Sequence, residues 1–109
     1  MRLIGADTPE LHHPRRGREP YGREAKACLV SILNGQKVRL KIGADPRDRY
    51  GRTLAHLWTE KGVHVNKELL RRGCGRLMVI GANTGHLSEL VAAQEEARAA
   101  KRGLWGLRP

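Results

Sequence analysis

The spacing of hydrophobic positions changes several times along the chain, and each change predicts a different element. From Arg23 the apolar residues recur at helical spacing and stop at Asn34-Gly35, which predicts an amphipathic helix. Residues 37–42 alternate apolar with basic residues, which predicts a strand with one buried face and one basic face. The helical stripe consists of Ala25, Cys28, Leu29, Ile32 and Leu33.

The remaining apolar runs predict three more strands and two more helices around the first helix. Polar connectors separate them, including a surface loop rich in Pro, Gly, Arg and His at 11–22 and a second connector at 43–51. Leu104 and Trp105 follow Gly103 and are expected to fold back onto the core. The strands are predicted at 1–6, 52–58 and 74–80, and the helices at 66–72 and 87–101.

Length and charge limit the classes of function. The 109 residues predict one domain, and 21 Lys and Arg against 11 Asp and Glu give a net charge of +10, so a polyanion is the leading partner. No apolar run approaches the roughly 20 residues that span a bilayer, and no signal-peptide pattern is expected at the start of the chain. Cys28 and Cys74 lack metal-site spacing and are expected to be buried free thiols.

Two carboxylates follow the first predicted strand. Asp7 and Glu10 lie on a turn that Pro9 stiffens, because proline fixes its own φ and disfavours helix at the residue before it. Hard oxygen groups held in this way suit a divalent cation such as calcium. An Asx-type turn with a solvated Glu10 remains the alternative.

Two arginines flank a second turn. Arg49 and Arg52 surround Gly51 at the start of a predicted strand, and the planar guanidinium suits bidentate contact with phosphate. A hairpin turn with solvated arginines is the alternative. Combined with the first turn, these residues supply the groups that metal-assisted phosphodiester cleavage requires.

With these motifs in this order, the chain resembles the staphylococcal nuclease (thermonuclease) family from residue 2 to about residue 105. The resemblance implies an α+β fold, namely a five-stranded OB-type Greek-key β-barrel with three α-helices. We expect a single domain of this kind over residues 1–109, incomplete at its N-terminus. The matching motifs are R-L-I-G-A-D-T-P-E at 2–10, Y-G-R-E-A at 21–25, D-R-Y-G-R at 48–52, V-N at 65–66, Leu69, Gly73 and G-L-W at 103–105.

The resemblance also implies a role for each site residue. Arg2 and Arg52 would stabilise the transition state, and Glu10 would activate or orient the attacking water. Asp7 and the Thr8 carbonyl would hold Ca²⁺. The implied substrate-binding residues are Arg49 and Tyr50, at a terminal phosphate, and Arg15 and Arg16, on a loop beside the bound strand.

The chain departs from the family pattern in two places. The family's first hairpin, which carries another calcium-binding aspartate, would precede the Arg2 strand, so two strands and one metal ligand are expected to be missing. We therefore expect weak calcium binding, low activity and a homodimer formed through open strand edges. Val79 and Gly81 stand where the family's type member stacks a base on tyrosines, which predicts weaker or less selective substrate binding.

Three functions remain open at this point. The first is a calcium-dependent nuclease that cleaves DNA and RNA toward 3′-phosphate products. The second is a barrel that binds nucleic acid without cleaving it, and the third is a protein-interaction domain of the same fold. The sequence does not decide between a secreted and a cytoplasmic location.

Overall fold

The computed structural model describes residues 2–7, 21–47, 50–78 and 85–107. Within them the chain forms short strands, three α-helices and one 3₁₀-helix. In chain order these are β1 Arg2–Leu3, β2 Gly5–Asp7, α1 Gly22–Leu33, β3 Val38–Arg47, β4 Thr53–Thr59, α2 Val65–Arg71, β5 Arg76–Met78, α3 Leu87–Ala99 and the 3₁₀-helix Gly103–Gly106.

The strands form two small sheets. In the first, β4 is central, with β1 parallel to it on one side and β3 antiparallel on the other. In the second, β2 and β5 are antiparallel. The α+β class and the three helices are therefore confirmed. An OB-type barrel stays a prediction, because neither sheet closes on itself within the described residues.

One core cluster lies between α1, α2 and β4. Ala25 and Ile32 of the predicted helical stripe are buried, and the other three stripe residues are partly buried against this cluster. The helix ends where the sequence predicts, because Asn34 takes the left-handed conformation with φ of 46°. The buried members of the cluster are Ile32, Leu57, Val65, Leu69 and Cys74.

A second core cluster packs α3 against β2 and α2. Its buried members are Ala6, Leu70, Leu90 and Ala93. The predicted fold-back of Leu104 is confirmed, because this side chain is buried and its backbone N–H donates to the Gly73 carbonyl at 2.8 Å.

The expectation of free thiols is wrong. Cys28 of α1 and Cys74, just after α2, form a disulfide across 46 positions of sequence, with their Cα atoms 6.5 Å apart. That separation is within the range a disulfide spans. The spacing of two cysteines along a chain does not reveal that packing of α1 on α2 brings them together.

The prediction for β3 is wrong in two respects. The strand continues to Arg47, through part of the predicted connector at 43–51. Its apolar face is also open, since Val38, Leu40 and Ile42 are 43%, 45% and 45% exposed. Alternation indicates which side chains share a face, but the burial of that face depends on another element. Among the described strands, β3 pairs only with β4.

Candidate active site

Strand pairing brings the first predicted catalytic arginine near the second. Arg2 of β1 is the register partner of Leu54 in β4, and Arg52 lies two residues before Leu54. At about 3.3 Å per residue, the two arginine positions are separated along the sheet by about 7 Å. Residues distant in sequence thus flank one end of the β1–β4 pair.

The predicted metal ligand Asp7 lies on the same short segment as Arg2. Only Ile4 separates β1 from β2, and Asp7 is the last residue of β2, where it pairs with Arg76 of β5. Thr8 and Glu10, predicted as a metal ligand and the catalytic carboxylate, lie outside the described residues. The described part of the segment therefore runs from one sheet into the other and carries both Arg2 and Asp7.

The turn that precedes β4 carries the second arginine. Arg52 is exposed, and its Cζ lies 5.4 Å from the centre of the Tyr50 ring, a distance typical of a cation–π contact. The Arg47 guanidinium donates to the Gly51 carbonyl at 2.9 Å across this turn. Tyr50, a predicted phosphate-binding residue, is thus next to Arg52 and is itself 68% exposed. The other predicted substrate-binding residues, Arg15, Arg16 and Arg49, lie outside the described residues.

Asn66 fixes the strands that carry the site, and sequence reasoning missed this role. Its side chain is fully buried at the start of α2. Its Nδ2 donates to the carbonyls of Ile4 at 2.8 Å and Ala55 at 3.2 Å, and its Oδ1 accepts from the Leu57 N–H at 3.0 Å. One amide therefore joins the junction of β1 and β2 to β4.

Gly5, like Asn66, helps to position the strands that carry the site. Its φ is +78°, a conformation that L side chains rarely adopt. A Cβ built at this position would lie 2.5 Å from Leu90 Cδ1, so a side chain here would collide with α3. A glycine inside a predicted strand is a sequence signal for such a close approach, although it does not identify the neighbour.

Within the described residues, no group of three or more His, Cys, Asp or Glu side chains is arranged to hold a metal ion. For the proposed calcium ligands, the relevant observation is chemical. Asp7 supplies a carboxylate and Thr8 a backbone carbonyl, and calcium prefers oxygen ligands of both kinds. This donor set fits calcium and would need further oxygen ligands to complete the usual shell of about 6 to 8.

Comparison with known proteins decides the family. Residues 1–106 match the family described as staphylococcal nuclease homologue. The chain belongs to this family. The predicted resemblance is therefore confirmed over almost the whole chain.

Several relatives in the staphylococcal nuclease family are named nucleases. The chain is 37% identical over 105 residues to the thermonuclease of Staphylococcus hyicus and 35% identical to that of Staphylococcus intermedius; each alignment covers 96% of this chain and 62% of the relative. Endonuclease YncB of Bacillus subtilis strain 168 is 32% identical over 107 residues, which cover 96% of this chain and 50% of the relative. The chain thus spans between half and two thirds of the length of these relatives.

One further structural finding concerns membranes. Among the helices in the described residues, none combines the length and apolar character that a bilayer crossing requires.

Proposed function

We propose that this protein is a calcium-dependent nuclease that hydrolyses phosphodiester bonds in DNA and RNA. The observation that carries the proposal is the parallel pairing of β1 with β4, which brings the Arg2 and Arg52 positions to one end of a sheet. Membership of the staphylococcal nuclease family over residues 1–106 supports it, as do relatives named thermonuclease and endonuclease.

In this proposal the two arginines bind the non-bridging oxygens of the scissile phosphate. Negative charge on these oxygens grows as water adds to phosphorus. Guanidinium groups stabilise such charge most strongly when they are already in position before the reaction. Arg2 and Arg52 therefore contribute more to the transition state than to the bound substrate.

Glu10 takes the role of general base. A carboxylate at neutral pH accepts a proton from the attacking water, or orients that water, as the new oxygen–phosphorus bond forms. The bond between phosphorus and the 5′-oxygen breaks, and this oxygen leaves and takes up a proton. The proposed products are therefore a 3′-phosphate and a 5′-hydroxyl. In the sequence Glu10 is three residues from Asp7, so the base and the proposed metal ligand belong to one turn.

Asp7 and the Thr8 carbonyl would hold calcium, which when bound polarises a phosphoryl oxygen of the substrate. The chain's own residues bind the rest of the strand. Tyr50 and Arg49 contact a terminal phosphate, and the basic residues Arg15 and Arg16 contact the backbone. The exposed Tyr50 ring beside Arg52 supports this role for the turn that precedes β4.

The main alternative function is binding of nucleic acid without cleavage. The net charge of +10 favours it, together with the exposed basic residues Arg39 and Lys41 on β3. A protein-interaction domain of the same fold is a further alternative. Both alternatives predict that nucleic acid is not cleaved, whether or not calcium is present and whichever proposed catalytic residue is replaced.

The testing experiment measures cleavage of an end-labelled single-stranded DNA and its RNA counterpart with calcium and with a calcium chelator. We expect cleavage only with calcium, and we expect Glu10→Gln to reduce it by about 10²-fold or more, as is common for a general base. The control is Glu95→Gln, which removes an exposed carboxylate from α3. Cleavage that is equal with and without calcium, or equal in the two variants, would contradict the proposal.

A further inference from the structure

Three histidines from separate elements meet beside Trp58. His56 lies on β4, His64 is the residue before α2, and His86 is the residue before α3. Their ring centres are 5.0 Å apart for His56 and His64, 5.1 Å for His56 and His86, and 5.2 Å for His64 and His86. The Trp58 ring stacks on His64 at 4.6 Å with an angle of 9° between the planes. We call these three residues the histidine cluster.

The contact between His56 and His64 requires at least one neutral imidazole. His56 is only 5% exposed, and its Nδ1 lies 3.0 Å from Nε2 of His64. At that distance one nitrogen donates a hydrogen and the other accepts it through a lone pair. If both rings were protonated, two N–H groups of like charge would face each other. The contact between β4 and the start of α2 therefore depends on at least one uncharged ring.

The charges around the histidine cluster also disfavour protonation. The positive charge of Lys41 on β3 opposes protonation of His56, and the positive charge of Lys67 on α2 opposes protonation of His64. Glu89 opposes them; its Oε1 lies 3.5 Å from Nδ1 of His86 and it favours charge on His64. Glu68 and Arg71, which also border the adjacent pocket, form a salt bridge with each other.

The two helices add a further effect. His64 and His86 are the N-cap residues of α2 and α3, and their carbonyls accept the hydrogen bonds from the N–H groups of Glu68 at 2.9 Å and Leu90 at 3.0 Å. A positive charge beside a helix N-terminus is unfavourable, because the unpaired N–H groups there carry partial positive charge. Protonation of His64 would thus weaken the first turn of α2.

We propose that the histidine cluster is an acid-sensitive latch, which joins β4 to the first turns of α2 and α3 at neutral pH and releases them when His56 and His64 are protonated. The released segments border a surface pocket of about 430 Å³ lined in part by Trp58, His64, His86 and Glu89. Opening the latch would therefore enlarge and rearrange this pocket. Along the chain, His56 lies two residues after Leu54, the register partner of Arg2, and four residues after Arg52.

The direction of the pH effect follows from linkage. Burial, with repulsion from His56 and His86, lowers the pKa of His64 from 6.5 to about 4. Burial, followed by repulsion from His86 and Lys41, also lowers the pKa of His56. The open form binds protons more readily than the closed form, so the closed form loses stability as pH falls from 6.5 toward about 4. Each histidine that takes up a proton on opening raises the opening constant by up to about tenfold per pH unit in that window.

Amide hydrogen exchange tests the latch directly, in buffers that contain a metal chelator. The reporters are the amides of Glu68 and Leu90, whose hydrogen bonds end on the two histidine carbonyls. The internal control is the Ala25 amide, which makes the corresponding first bond of α1 to the Tyr21 carbonyl at 2.8 Å. After correction for intrinsic exchange, we expect protection of Glu68 and Leu90 to fall between neutral pH and pH about 4.5, by up to about tenfold per pH unit. Protection of Ala25 should stay constant.

His64→Gln is the decisive variant, because glutamine keeps a hydrogen-bonding group but does not titrate. It should remove most of the pH dependence at Glu68, and His56→Gln provides a second variant if the first folds poorly. The double variant His12→Gln/His13→Gln replaces the other two of the five histidines and should behave like the wild type. A fall in protection that includes Ala25 equally, or that persists unchanged in His64→Gln and His56→Gln, would overturn the proposal.

Discussion

The side-chain amide of Asn66 donates a hydrogen bond to the backbone carbonyl of Ile4 across 62 positions of sequence, at 2.8 Å. Ile4 is the single residue between the strand that carries Arg2 and the strand that carries Asp7. The same Asn66 side chain also bonds to the backbone of β4, which Arg52 precedes. Asn66 takes no part in the proposed chemistry, but it sets the relative position of the strands that carry or adjoin the proposed site residues.

We predict that Asn66→Ala destabilises the protein by at least about 2 kcal/mol, since each buried polar group left without a partner costs about 1 to 3 kcal/mol. Chemical denaturation measures this loss. Ser88→Ala, which removes an exposed hydroxyl from α3, should change stability by less than about 0.5 kcal/mol. Equal stability of the two variants would mean that the Asn66 bonds do not hold the strands.

Gly5→Ala should destabilise through both backbone strain and collision with Leu90. Gly62→Ala is the matched control, because Gly62 has φ of +85° and nothing within 4 Å of an added Cβ. We expect a cost of about 1 to 2 kcal/mol for the control, from its left-handed backbone alone, and a larger cost at Gly5. Thermal or denaturant unfolding provides the measurement.

A double-mutant cycle separates the two contributions at Gly5. Adding Leu90→Ala removes the colliding side chain, so the double variant should be more stable than the sum of the single effects predicts. Additive effects would contradict the proposed contact between Gly5 and α3.

Reduction of the Cys28–Cys74 disulfide should lower the free energy of unfolding by about 2 to 5 kcal/mol, because the bond restricts the unfolded chain over a long loop. Denaturation with and without a thiol reductant measures the change. The double variant Cys28→Ser/Cys74→Ser should match the reduced protein and should not respond to reductant. A wild-type protein whose stability is insensitive to reductant would contradict the bond.

We further predict self-association through β3. Its apolar residues Val38, Leu40 and Ile42 are partly exposed, and among the described strands it pairs only with β4. Pairing of two copies would also bring Arg39 and Lys41 of each copy close together, so association should strengthen with salt.

Sedimentation velocity at low and high salt tests self-association. Leu40→Lys should favour the monomer, whereas Val30→Lys, at an exposed position on α1, should not. A monomer under all conditions, or equal effects of the two variants, would contradict association through β3.

Periodicity and capping residues predicted much of the fold. The helical stripe of α1, its end at Asn34 and the fold-back of Leu104 follow from local pattern, so each was visible in the sequence. The disulfide and the open face of β3 could not be predicted from the sequence, because both depend on which elements pack together.

In the candidate site, too, some features could be predicted from the sequence and others depend on how the elements pack. Residue type indicated Asp7 and Arg52 as candidates, because the chemistry of each turn can be read locally, and the family resemblance added Arg2. The role of Asn66 depends on three backbone groups on two distant segments, and no local pattern contains that information. The histidine cluster was hidden for the same reason, because its members come from three elements.

The central claim is that Arg52 acts on the transition state of phosphodiester cleavage, and Arg39 provides the matched control. Both arginines are exposed, and Arg39 pairs in register with Trp58, six residues after Arg52, which places it about 20 Å away along the sheet. Replacement of either by alanine removes the same charge from the protein.

The most direct measurement compares single-turnover cleavage of single-stranded DNA with the affinity for an uncleavable analogue, for Arg52→Ala and Arg39→Ala. We predict that Arg52→Ala lowers the cleavage rate by about 10² to 10³, whereas both variants lose similar, modest affinity. Equal rates in the two variants, or a loss of affinity in Arg52→Ala that accounts for its whole loss of rate, would contradict the claim.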